Sequence, residues 1–316
     1  MTVSVVLAAV LGIALLGAVA ALILSPRTSP EGRPASRRAP GAAVTGRVAL
    51  EDVDLGLRVL AAACERGGRE LPDTYVVVSS DERLVLRLAR FDRDAPAPWE
   101  SDEDGEEWSL ARKSLTAAEL GPQPDHPFPL TVTLGFQDGE RVLVDLARAA
   151  APIALTGSTA DARRLAAAFV AEVLTGPVGR RGEVTLVGSG ATALADELGV
   201  RSARLRTAAS LKEALAQGAE EGTAFTLLPD DGVTEVFQLI EGDDAGQGGA
   251  PAHRLFVMDA AHCTEEGRPM AWSRTDALLL LGDVPAAAWR FAAGADGALD
   301  TGPLGLRIDR AAGHHV

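Results

Sequence analysis

Gly157 stands between a short apolar run, residues 153–155, and a helical stretch that follows from Thr159. Strand, glycine turn and helix make the setting in which backbone N–H groups and a helix N-terminus grip phosphate. A working phosphate loop reads G-x-x-x-x-G-K-[ST]. Its lysine charges the β/γ oxygens and its hydroxyl holds Mg²⁺. Aligned on Gly157, this chain puts Ala162 at the second glycine, Arg163 at the lysine and Arg164 at the hydroxyl. Asp161 adds a negative charge inside the would-be anion cradle. The residues left to hold a nucleotide are Gly157, Ser158, Thr159 and Arg163, together with Asp259. Asp259 ends the apolar run 255–258, as in a strand that orients Mg²⁺, but Ala260 follows it and offers no carboxylate to activate water. No catalytic residue is assigned, and a nucleotide is the cofactor this set would take. The competing reading is structural: Thr156 or Ser158 caps the helix, and Arg163 and Arg164 face solvent.

Three other sets have chemical potential. Gly188-Ser189-Gly190-Ala191-Thr192-Ala193 fits G-x-G-x-x-A between a strand and a helix, the context of a dinucleotide turn. The acidic residue expected about twenty positions on is replaced by Arg201, Arg204 and Arg206, which would suit a 2′-phosphate and hence NADP. His253, His262 and Cys263 gather around Asp259 in sequence without metal-ligand spacing, so no metal site is assigned. Glu100, Asp102, Glu103, Asp104, Glu106 and Glu107 lie between Trp99 and Trp108. They do not meet the ligand positions of a calcium loop. They read as a solvated hairpin tip over two packed tryptophans, and as a docking candidate for a protein partner.

The elements that must position these residues fall into two rhythms. From 50 to 66, Leu50, Val53, Leu57, Leu60 and Cys64 recur at helical spacing, and Gly67-Gly68 ends the run. Period-two strands follow at 74–79 and 83–90, a short strand near 108–113, and a hairpin of 130–135 with 141–145. Residues 48–148 therefore read as a small α+β subdomain. From 151 to 310, apolar strands at 153–155, 183–187, 203–205, 254–258 and 277–281 alternate with helices at 159–174, 191–198 and 210–217. That alternation predicts a mainly parallel, P-loop-like α/β sheet, with edge strands at 287–292 and 304–308. One more strand fits within 220–234, and 311–316 reads as a tail.

Composition sets the address. Net charge is −14, and the positive charge is nearly all Arg, with lysine only at 113 and 212. Such a chain repels phosphate backbones, so no nucleic-acid partner is expected. Two distant cysteines, Cys64 and Cys263, make no disulfide framework. Residues 2–24 carry no charge, and at ~1.5 Å per residue they are long enough for the ~30 Å hydrocarbon layer. They are expected to be an uncleaved transmembrane helix (domain 1–24). Residues 25–47, rich in Pro, Arg, Ser and Gly, read as a disordered tether. Arg27, Arg33, Arg37, Arg38 and Arg47 follow the span, which predicts a single pass with the N-terminus outside and the soluble body in the cytoplasm.

Ordered blocks carry a resemblance. They are Leu57 to Cys64, Leu71-Pro72-Asp73, Pro96 to Trp99, Gly105 to Trp108, Pro129 to Gly135, Leu143 to Leu146, Leu155-Thr156-Gly157 and Val184 to Gly188. Together they resemble the cytoplasmic segment of actinobacterial membrane proteins that elsewhere carry LysM or bacterial-transcriptional-activator modules. The last third is more distantly similar to the P-loop motor domain of FtsK/SpoIIIE-type DNA pumps, with Gly157 and Asp259 as the matching positions. The resemblance implies a membrane-anchored protein with a motor-like α/β domain. Its departures at Ala162, Arg163 and Arg164 imply that ATP is not hydrolysed. The expected function is a scaffold or regulator acting through protein contacts. The alternatives are a nucleotide-binding protein or weak NTPase of a membrane secretion system, and an NADP-binding enzyme.

Overall fold

Valines and leucines at alternate positions build the first sheet, and a helix stripe covers it. In the computed structural model, residues 46–115, 127–149, 151–219, 253–266 and 275–314 are described. Helix α1 (Gly46–Arg66) begins within the predicted tether and runs to the Gly67-Gly68 stop. Strands β1 (Thr74–Ser79), β2 (Arg83–Leu88), β3 (Glu100–Ser101), β4 (Glu107–Ala111), β5 (Thr131–Gln137) and β6 (Glu140–Asp145) follow. They form an antiparallel sheet in the order β5-β6-β1-β2-β4-β3. One face packs Val77, Leu84, Leu86 and Leu143 against Val53, Leu57, Leu60 and Cys64 of α1. Lys113, expected in a strand, lies in a 3₁₀ turn after β4.

The second rhythm gives β7 (Ile153–Gly157), α2 (Thr159–Thr175), β8 (Gly182–Val187), α3 (Gly188–Leu198), β9 (Leu205–Ala208), α4 (Leu211–Ala219), β10 (His253–Asp259), α5 (Ala260–Glu266) and β11 (Asp276–Leu281). Then come β12 (Trp289–Ala293), β13 (Leu299–Asp300), β14 (Arg307–Ile308) and β15 (Arg310–Ala311). The sheet order is β14-β13-β12-β7-β11-β10-β8-β9, parallel from β12 through β9. The segment 287–292, expected as an edge strand, is instead the interior parallel strand β12. It pairs with β7 on one side and β13 on the other. Phe291, fully buried on β12, meets Phe169 of α2 edge-on at 6.5 Å between ring centres, and this contact anchors the strand in the sheet.

The two sheets share one core. Val132, Leu134 and Val144 of the first face Leu165, Phe169 and Val173 of α2, which in turn lie on Ile153, Leu186, Leu255 and Leu279 of the second. The opposite face of the parallel sheet buries Phe256, Met258, Leu278 and Leu280 with Leu211 and Leu215 of α4. A polar fixture crosses the core: Glu172 of α2 accepts the Thr133 N–H at 3.1 Å and its hydroxyl at 2.8 Å. The last strand, β15, leaves the second sheet and pairs with β5 of the first. Gly135 makes that possible, because a Cβ there would lie 2.2 Å from the Arg310 carbonyl oxygen.

The parallel register is fixed by a buried ion pair between neighbouring strands. Arg254 Nη2 is 2.7 Å and Nε 3.1 Å from the Asp276 carboxylate, and the guanidinium lies over Phe256. The C-terminus of α2 is closed by Arg204. Its Nη2 donates to the Leu174 carbonyl at 2.5 Å, and its Nη1 donates to the carbonyls of Val173, Gly179 and Gly182. A cation at that end also favours the helix dipole. The predicted span 1–24, the tether up to residue 45 and the extra strand at 220–234 lie outside the described residues. Among the described residues no helix is long and apolar enough to cross a membrane.

Asp145 ends β6 and leads into the turn toward β7. Burial pushes its carboxyl up to about 6, against the pull of Arg148 at 3.4 Å and the Ala147 N–H. Burial raises Glu172 in the same direction, opposed by Thr133 and Arg141. A carboxyl raised in the folded state binds its proton more readily there than in the unfolded chain. The stability it contributes is full below ~3.9 and is lost as pH rises through about 6. Mild acid therefore favours this fold at Asp145 by about 1 kcal/mol between pH 7.5 and 5, or about 2–4 °C in midpoint. Asp145→Asn should take about that amount out of the change in thermal midpoint between pH 7.5 and 5, a change that His253, lowered by burial, opposes in both proteins. Equal pH dependence of the two proteins would refute the assignment.

Candidate functional site

The expected sites converge on the C-terminal edge of the parallel sheet, where open α/β folds hold ligands. β7 ends at Gly157, β8 leads into Gly188 and β10 ends at Asp259. β11 lies between β7 and β10, so Asp259 stands two strand spacings, roughly 10 Å, from the Gly157 turn.

The turn after β7 is too short to wrap a phosphate. Ser158 alone separates Gly157 from the first helical residue, Thr159. Gly157 has φ +102° because its backbone presses on β12: a Cβ there would lie 2.5 Å from the Ala293 carbonyl oxygen. The glycine is thus required by strand packing. Ser158 is the N-cap of α2. Its hydroxyl accepts the Asp161 N–H at 3.1 Å and donates to Asp161 Oδ2 at 2.5 Å. Arg164 Nη1 reaches Asp161 Oδ1 at 2.5 Å. The Ser158 hydroxyl, and then Arg164, hold the Asp161 carboxyl below the usual carboxylate range. An ionised carboxylate of the chain itself thus occupies the positive end of α2.

The second glycine turn is closed in the same way. α3 starts at Gly188 without a side-chain cap. A Cβ on Gly190 would lie 1.8 Å from Asp259 Oδ2, so the Asp259 carboxylate covers the first turn of α3. A pyrophosphate would need the space that this side chain takes. Gly188 is likewise covered, by the ring of His262, whose Nε2 is 3.3 Å from the Ala209 carbonyl.

The structure brings three of the sequence-predicted residues together, in an arrangement that differs from the predicted one. Arg163, expected at the lysine position, turns away from Ser158. It donates to the Gly190 carbonyl at 2.9 Å and pairs with Glu197 at 2.8 Å, tying α2 to α3 beside Asp259. Thr159 is exposed on the first turn. The arginines proposed for a 2′-phosphate lie elsewhere. Arg204 caps α2 at the other end of the sheet, level with the start of β8, and Arg206 pairs with Glu183 of the same strand at 3.9 Å. His253 starts β10 and His262 follows its end, so the remaining six strand residues, roughly 20 Å, separate them. Cys263 packs partly into the apolar layer under α5. Among the described residues no group of three His, Cys, Asp or Glu side chains is placed to hold a metal ion. The residues present do not fit a nucleotide or a dinucleotide.

The acidic hairpin has its expected form. Trp99 and Trp108 are buried beneath β3 and β4. Asp102 folds inward, its Oδ1 accepting the N–H groups of Glu106 at 2.9 Å and Glu107 at 3.2 Å. Glu107 pairs with Arg87 at 3.3 Å. Glu100, Glu103, Asp104 and Glu106 stay exposed. Sequence reasoning missed the contact of Asp259 with Gly190 and the capping role of Arg204. Both join residues far apart in sequence, and only the G-x-G spacing hinted that a close approach was needed.

No family model and no curated protein matches the chain.

The Asp259–Gly190 contact generates a double-mutant test. Gly190→Ala should cost about 1–3 kcal/mol, because the new methyl overlaps the carboxylate. Asp259→Ala in the same chain should recover most of that loss in urea unfolding. Strict additivity of the two substitutions would show that the contact does not hold the turn.

Proposed function

We propose that this chain is a non-hydrolysing, motor-like α/β module, held at the cytoplasmic membrane by residues 2–24, that works as a scaffold or regulator through protein contacts. One observation carries the non-catalytic part. At the two glycine turns of the ligand edge, the N-termini of α2 and α3 are each covered by a carboxyl group of the chain, Asp161 on α2 and Asp259 on α3. An anion entering at α2 must displace the Asp161 carboxylate from its partners, and one entering at α3 meets the Asp259 side chain. At Asp161 those partners are the Ser158 hydroxyl and Arg164. Neither lysine of the chain stands in these turns: Lys113 follows β4 in a 3₁₀ turn and Lys212 lies on α4.

The membrane address rests on the uncharged run 2–24 and the arginines that follow it. The charge of −14 supports protein rather than nucleic-acid or anionic-lipid contacts for the body. The nucleotide-binding and NADP readings require Gly157, Ser158, Thr159, Arg163 and Asp259, or Arg201, Arg204 and Arg206, to converge on one ligand. The engagements of Arg163 and Arg204 weigh against both.

Titration calorimetry of the full chain with ATP and Mg²⁺, and with NADPH, should give no saturable heat at millimolar ligand. Saturable heat lost on Ser158→Ala and Gly157→Val would overturn the non-catalytic reading. Protease protection of sealed membranes should leave the body accessible only from the cytoplasmic side, and accessibility from outside would overturn the orientation.

A further inference from the structure

Phe91, 77% exposed, and Leu71, 37% exposed, are the large apolar side chains that the described fold leaves open to solvent. They are distant in sequence and abreast in the fold. The Ala89 N–H donates to the Asp73 carbonyl at 2.7 Å, and Arg69 reaches the Asp92 carboxylate at 2.8 Å and the Asp94 carbonyl. Residues 69–73 and 89–94 therefore run side by side in opposite directions, which sets Leu71 level with Phe91. The acidic hairpin closes a further side. The Asp92 N–H donates to the Gly105 carbonyl at 2.8 Å, and Gly105 sits so close that an added Cβ would lie 3.1 Å from Asp92 backbone atoms. The apolar core of this lobe lies beneath, around Trp99 and Trp108, and is complete without Phe91.

The rim around the pair is mixed in sign but acidic in balance. Arg69 is paired with Asp92 and Arg87 with Glu107, while Arg90, its side chain 87% exposed, stands 3.8 Å from Asp73. Arg93 stays exposed. Against it stand Glu70, Asp94, Glu103, Asp104 and Glu106, all exposed. An apolar anchor inside a charged rim is the anatomy of a protein-docking surface, with the anchor supplying affinity and the rim steering.

We propose that Leu71 and Phe91 form a docking surface for a cationic protein segment that presents an apolar side chain between its basic residues. The proposal rests on the reading that the chain works through protein contacts, and it names the chemistry of the partner. Nucleic acid and anionic membrane carry the wrong sign for this rim. The exposed area of the pair, roughly 200 Å², is well below that of a stable interface, so the contact is transient and depends on ionic strength.

The test uses the full chain and two fluorescent synthetic peptides of equal positive charge, one alternating Arg with Leu and the other alternating Arg with Ser. Anisotropy should show the Arg–Leu peptide binding at least tenfold tighter. Phe91→Ser with Leu71→Ser should erase that difference and leave the salt dependence. Glu103→Gln, Asp104→Asn and Glu106→Gln together should flatten the salt dependence. Both sets of substitutions lie on the surface and should leave the thermal midpoint unmoved. Equal affinity for the two peptides, binding indifferent to Phe91→Ser, no binding of either at millimolar peptide, or preference for anionic vesicles would each overturn the proposal. None of these results bears on the calorimetric test of the non-catalytic reading, so the two fail separately.

Discussion

Helix α2 is the element on which both sheets depend. One side carries Leu165, Phe169 and Val173 into the face of the parallel sheet, and Phe169 meets Phe291 edge-on. Toward the antiparallel sheet it offers Glu172, which accepts both the backbone and the hydroxyl protons of Thr133. Two sheets packed directly on each other would align their inner faces about 10 Å apart. A helix between them demands instead that both inner faces be apolar, which Val132, Val144, Leu155 and Leu186 satisfy. The ends of α2 are finished by the chain itself, with Ser158 and Asp161 at one and Arg204 at the other. Such a helix has little freedom to shift for a ligand.

The same need explains why a layout suited to phosphate lacks the chemistry. Strand, turn and helix are what a parallel sheet requires to cross from one strand to the next. Gly157 meets that requirement against Ala293, and Gly190 meets it against Asp259. Placing the Asp161 carboxylate at the N-terminus of α2 stabilises that end without a bound anion. Arg163 then serves as a strut between α2 and α3.

Much of this was legible in local pattern. Alternating valines marked β1, the 3–4 spacing of Leu57, Leu60 and Cys64 marked α1, and apolar runs before glycine marked β7 and β8. Asp161 could be seen intruding on the loop because it is local to it. What local pattern does not encode is which strands become neighbours. Residues 287–292 looked like an edge because they come late and are rich in alanine, yet Phe291 places them inside the sheet. Arg204 looked available for a ligand because nothing in its own stretch consumes it; its acceptors lie 22 to 31 residues earlier. The paired tryptophans around the carboxylates did announce a buried floor under an acidic tip, whereas the pairing of segments 69–73 and 89–94 arises from one backbone bond and the reach of the Arg69 side chain, which have no sequence signature.

The crossing of the chain from β14 to β15 has a consequence for how the molecule is made. Strand β5 completes its pairing only with the end of the chain, Phe136 with Arg310 and Gly135 with Ala311, and beside them the Asp138 N–H donates to the Asp309 carboxylate 171 positions later. During synthesis at roughly 5–20 residues per second, that edge waits on the order of ten seconds or more with its backbone groups unpaired. Non-local closure of this kind slows folding and leaves the waiting edge open to other strands. The antiparallel sheet, although written first, is sealed last, and its β5 edge waits for a partner longer than the edges of β7, which β11 and β12 cover earlier.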